Sequence, residues 1–81
     1  MGYHKREIPK GTYGHFSKVE EEWEELRDAQ EQGAAILELV EITDLYGALA
    51  GYVEQRFGMT MEDVRKMAEM TRESFKEGKR K

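Results

Sequence analysis

From Ser17 onward, apolar residues recur every three or four positions, the spacing of amphipathic helices. Val19, Trp23, Leu26 and either Ala29 or Gln30 form the first inward stripe, which stops at Gly33. Ser17 followed by Glu20 three residues on fits a capping box, so helix one is expected to open at Ser17. A second helix is expected from about Ala34 to Phe57. Its first turns are apolar on more than one face, with Ile36, Leu37, Leu39 and Val40. Ile42, Leu45, Leu49 and Val53 continue its stripe, and Gly58 ends it. Thr60 caps a third helix, with Glu62 and Asp63 suited to its first turn. Val64, Met67, Ala68, Thr71 and Phe75 are its expected buried face. Gly47 and Gly51 each cost up to ~1 kcal/mol against Ala inside a helix, which close approach of another helix would explain.

Residues 1–16 lack this periodicity. Gly2, Pro9, Gly11 and Gly14 punctuate them, and they read as an irregular arm. Tyr3, Ile8, Tyr13 and Phe16 imply that the arm packs on something. The division expected is an arm at 1–16, an all-α domain at 17–77 and a basic tail at 78–81. Three such helices make an incomplete core, and a domain of this size buries only about 60% of its unfolded surface. The chain has 81 residues and no cysteine, so neither a disulfide nor a thiolate zinc site can staple it. The expected fold is therefore an all-α, three-helix chain whose four-helix-bundle-type core is completed by oligomerisation, as a dimer or tetramer. No apolar run approaches the ~18 residues of a membrane span. The first ten residues lack the apolar stretch of a signal peptide, so a cytoplasmic protein is expected.

Net charge is −4. Between Ser17 and Tyr46 ten acids face only Lys18 and Arg27, whereas the C-terminal end is basic. An acidic centre disfavours nucleic acid polymers, whose binding rests on phosphate neutralisation by Lys and Arg. A cation held by those acids could still engage a phosphorylated ligand.

Two acid pairs carry the candidate chemistry: Glu22 with Glu25, and Glu41 with Asp44. Spacing of i, i+3 puts each pair on one helix face. Side by side, the two helices would gather four carboxylates, donors suited to Mg²⁺. Glu-rich stretches such as Glu20 to Glu25 are also ordinary solvated faces. Glu41 and Asp44, beside Val40, Ile42 and Leu45, fall in the helix expected to be most buried, where acids need partners.

These residues resemble a known family. Glu21-Glu22-Trp23-Glu24-Glu25 followed by Glu41-Ile42-Thr43-Asp44 is similar to the EExxE…ExxD signature of the MazG-like nucleotide pyrophosphohydrolases, in the all-α NTP pyrophosphatase superfamily. The match covers roughly residues 17–53, and the whole chain looks most like the short phage or prophage-type members. The resemblance implies cleavage of a nucleoside triphosphate to monophosphate and pyrophosphate. It implies that Glu22, Glu25, Glu41 and Asp44 ligate Mg²⁺ (or Mn²⁺), and that Glu21 is a peripheral ligand or positions the attacking water. It also implies a homo-oligomer whose helices pack across chains. Many relatives carry an Asn and basic residues after the second motif. This chain has no Asn, and Lys66 and Arg72 are the nearest candidates for phosphate contacts, with Arg65 and Lys76 behind them.

Other residues point less sharply. Trp23 is expected in the core, with stacking on a nucleobase as the alternative. Tyr46 and Tyr52 are expected at helix interfaces. His4 and His15 lie in the arm without HxxxH or HExxH spacing, which argues against zinc. The competing readings are a non-catalytic helical assembly module and a degenerate family member that binds nucleotide without turnover.

Overall fold

A computed structural model describes residues 4–78; Tyr3 of the expected arm and Lys79, Arg80 and Lys81 of the tail lie outside the described residues. Those residues form three helices, α1 (Phe16–Gln32), α2 (Ala35–Phe57) and α3 (Met61–Lys76), preceded by an irregular arm. No strand occurs among them. The chain is all-α.

The helix stops fall where the glycines predict. Gly33 and Gly58 adopt left-handed φ values of 72° and 64°, which a Cβ would disfavour. Only two residues join α1 to α2, so α2 folds back along α1, and this pair is the main helix contact. Thr60 caps α3 as expected: its hydroxyl accepts from the Asp63 amide at 3.2 Å, and Asp63 Oδ2 accepts from the Thr60 amide at 3.1 Å.

Three expectations are corrected. Helix α1 starts at Phe16 with His15 at the cap and no side-chain capping bond. Ser17 lies inside the helix, and its hydroxyl accepts instead from the Thr12 amide at 3.0 Å, pinning the arm's last turn. Second, the inward face of α1 is chiefly polar: its buried residues are Val19, Glu21, Glu22, Asp28 and Ala29, while Trp23 is 49% exposed. The arm explains the rotation, because it supplies donors and cations that only the acidic face can use. Third, α3 buries nothing within one chain, and Met67, Met70 and Phe75 are exposed. It packs too sparsely on α1 and α2 to cover its apolar stripe. Likewise Ile42 and Tyr46 of α2 are exposed, and Tyr52 is half-buried against Phe16 and Phe57 in edge-to-face contacts.

The arm packs on the helix pair, as its aromatic content predicts. The Tyr13 ring lies where a Cβ on Gly51 would stand, 2.6 Å from such an atom, so the glycine admits the arm rather than another helix. Among the described residues nothing lies within 4 Å of a Cβ built on Gly47. Gly11 passes so close to the backbone at Ser17 that a Cβ there would clash at 2.2 Å.

Candidate metal centre

The two-residue turn after α1 sets its acidic face against the middle of α2. The four acids expected to converge meet in overlapping groups of three, with Glu25 and Asp44 in separate ones. Glu22, Glu41 and Asp44 each present an oxygen within 4.8 Å of the others, and Glu21, Glu22 and Glu25 do the same. Glu25 and Glu41 meet in a third group with His4. Asp44 is exposed and forms the solvent-facing rim, whereas Glu21, Glu22 and Glu41 are buried.

Glu41 sits deepest. It is 0% exposed, and among the described residues its Oε1 has no hydrogen-bond partner. A buried carboxylate oxygen left unpaired is costly, so the site favours a proton or a cation there. Burial pushes the Glu41 carboxyl above its usual range, and Asp44 and Glu22 push it further, while His4 opposes them. Burial also raises Glu25, with repulsion from Glu22 and a shared hydrogen bond with Glu21, to about 7. Glu21 responds differently. Burial would raise it, but the Gly11 amide at 2.8 Å and Lys18 Nζ at 3.1 Å outweigh that and hold it below the carboxylate range. Glu21 thus stays ionised and fastens the arm to α1.

The sequence motifs did not reveal the arm's own share in this centre. His4 enters the cluster with its Nδ1 2.8 Å from Asp28 Oδ2 and its Nε2 3.1 Å from both Glu25 Oε1 and Glu41 Oε2. Burial disfavours its charge, yet Asp28, Glu41 and Glu25 together raise its pKa above the ordinary value. Asp28 also accepts from the Lys5 amide at 3.2 Å and from Gln32 Nε2 at 2.8 Å, and His4 foremost holds it below its usual range. Lys18 bridges Glu21 and Glu22 at 3.1 Å each, and Lys10 stands 3.7 Å from Glu21. The signal for this was charge complementarity: the arm carries Lys5, Arg6 and Lys10 immediately before an acidic helix.

Beside the cluster lies a pocket of about 220 Å³ lined by His4, Arg6, Glu7, Ile8, Lys10 and Glu25. Lys66 and Arg72, the expected phosphate contacts, are exposed on α3. Among the described residues no hydrogen bond or ion pair ties either to the carboxylates. Arg65 is paired with Glu62 at 2.8 Å.

Comparison with protein-family models, curated proteins and solved structures finds no match to this chain.

Proposed function

We propose that the chain is a divalent-cation-dependent nucleoside triphosphate pyrophosphohydrolase, releasing a nucleoside monophosphate and pyrophosphate. The observation that carries this reading is Glu41: a fully buried carboxylate with an orphaned oxygen, at the junction of converging acids that reach solvent through Asp44. An orphaned oxygen in that position favours a proton or a cation, and the acids around it would supply a cation's other ligands. The donor set is all carboxylate, which fits Mg²⁺ or Mn²⁺, and Glu22, Glu25, Glu41 and Asp44 would hold it. When bound, such a cation polarises phosphoryl oxygens and lowers the pKa of coordinated water. Glu21, beside Glu22 and Glu25, would serve as a peripheral ligand or position the attacking water. Arg6 and Lys10 line the adjoining pocket and would offer positive charge to a polyphosphate tail. Lys66 and Arg72 would reach a phosphate only if α3 met the site of another copy.

A second copy is part of this proposal. Val19, Ala29 and Ala48 are the only buried apolar side chains among the described residues. Trp23, Leu39, Ile42 and Tyr46 meanwhile lie exposed on the helix pair, as do Met67, Met70 and Phe75 on α3. That much uncovered apolar surface on so small a domain is the signature of an interface.

Product analysis tests the proposal. Incubated with a panel of ribo- and deoxyribonucleoside triphosphates and Mg²⁺ or Mn²⁺, the chain should release pyrophosphate and not orthophosphate. Glu41→Gln and Asp44→Asn should abolish release while helix content and oligomer size persist. A thermal shift with nucleotide but no product indicates a binder without turnover. An absent metal response, with neutral substitutions, indicates an assembly module.

A further inference from the structure

The carboxylates alone do not account for His4. We propose that His4, Glu25 and Glu41 form a second cation position, of mixed nitrogen and oxygen donors, that prefers Mn²⁺, Fe²⁺, Co²⁺ or Zn²⁺ to Mg²⁺. The inference rests on the preceding reading only in that these acids hold a cation at all.

Geometry is the first support. Two donors each ~2.1 Å from one cation and at right angles to each other stand ~3.0 Å apart. His4 Nε2 stands 3.1 Å from Glu25 Oε1 and 3.1 Å from Glu41 Oε2. One N–H can only be shared weakly between those two oxygens, whereas one cation can sit between all three atoms. The second support is Asp28. Its 2.8 Å contact with Nδ1 gives that nitrogen's hydrogen an acceptor, so Nε2, which faces the acids, is the nitrogen that would exchange its proton for a cation. A carboxylate behind the histidine is how metal-ligating imidazoles are held and oriented. Asp28 is itself buried and anchored by Gln32 and the Lys5 amide, so the imidazole is held on a rigid support.

The third support is independent of the cluster's composition. Glu41 spends Oε2 on His4 and leaves Oε1 unpartnered with no exposed surface. Glu41 belongs both to the His4 group and to the group with Glu22 and Asp44. Its carboxylate would therefore contribute to both positions. An imidazole donor selects borderline cations, while Mg²⁺ keeps to oxygen and gives up water reluctantly. The chain thus offers one position of each kind, and the arm completes only the nitrogen-containing one.

Pulsed electron paramagnetic resonance of bound Mn²⁺ decides the matter. The full chain, carrying no added histidines and stripped of metal, is loaded with one equivalent of Mn²⁺. The expected spectrum shows coupling to ¹⁴N. His15→Gln, at an exposed position, should retain it. His4→Gln should lose it and weaken Mn²⁺ binding at least tenfold without changing Mg²⁺ affinity. Asp28→Asn, altering a positioning residue, should keep the coupling yet lower Mn²⁺ affinity about 10–100-fold. Bound Mn²⁺ without ¹⁴N coupling overturns the proposal, because the cation then displaces His4 instead of recruiting it. So does the absence of Mn²⁺ binding, or His4→Gln binding Mn²⁺ as wild type does. The wild-type spectrum needs no variant to fold. Failure here with pyrophosphate release intact leaves the enzymatic reading standing; ¹⁴N coupling without pyrophosphate release does the reverse.

Discussion

Replacing Glu41 by Gln should stabilise the chain when no cation is bound. The Glu22 and Asp44 oxygens lie within 4.8 Å of the Glu41 carboxylate. At an effective dielectric near 20, each such ionised pair repels by ~3.5 kcal/mol. The His4 contact at 3.1 Å returns ~5 kcal/mol if the imidazole is charged. The two acids and His4 thus come close to cancelling, and burial, the largest cause of the raised Glu41 pKa, tips the balance against the charged form. Gln keeps an acceptor for His4 and turns an amide donor toward the remaining acids. The net gain expected in chelator is about 1–2 kcal/mol, or ~5–10 °C in Tm for a domain of this size. In 100-fold excess over Kd, a cation should stabilise wild type by about 2.7 kcal/mol and Glu41→Gln by almost nothing. Differential scanning fluorimetry with EDTA, Mg²⁺ and Mn²⁺ measures both effects. If His4 and Glu41 are instead a structural pair, Glu41→Gln loses about 3–5 kcal/mol and wild type ignores the ion. That outcome refutes the reasoning.

Further expectations follow from the same contacts. Glu25, Glu41 and His4 all have raised pKa values, so the folded, metal-free chain binds more protons than the unfolded one and stability falls as pH climbs from about 4.5 to 8. Glu25 contributes about 1–2 kcal/mol of that fall after solvent screening of a partly exposed group, and chemical denaturation across pH in EDTA would reveal it. Below about pH 4.5 the sign reverses, because Glu21 and Asp28 are held low and lose their stabilising contacts on protonation. Gly51→Ala should cost about 1–3 kcal/mol by driving a methyl group into the Tyr13 ring. Gly47→Ala meets nothing in one chain; denaturation should show a gain near 1 kcal/mol, unless another copy packs there and sedimentation shows the oligomer weakened. Thr60→Ala removes the α3 capping box and should cost ~1 kcal/mol, read as lost helicity near the C-terminus.

Much of the architecture was legible because it rests on local rules. Gly33 and Gly58 end helices wherever they occur in such a pattern, and Thr60 with Asp63 is a complete cap within four residues. That Glu22, Glu41 and Asp44 would meet was legible as well, since i, i+3 spacing puts each pair on one face and a short turn folds α2 back on α1. What escaped notice depends on long-range contact. Ser17 looks like a cap until the arm's turn takes its hydroxyl. Trp23 looks like core until the arm draws Glu21, Glu22 and Asp28 inward and rotates the helix. His4 carries no spacing motif at all, because its partners lie 21, 24 and 37 residues away. The apolar faces of Trp23, Ile42 and Met67 satisfy the periodicity rules without being covered, since periodicity says which side is apolar and not which chain covers it.

Most small domains hold themselves together with oil at the centre; this one puts salt there. Among the described residues the only fully enclosed large side chain is Glu41. With metal scarce, the interior would push itself apart and the helix pair would open often enough for proteases to find it. With metal plentiful, the same groups would become the clasp. The lifetime of the molecule in a cell would then follow the supply of divalent ions, and digestion rates in chelator and in Mg²⁺ should differ accordingly.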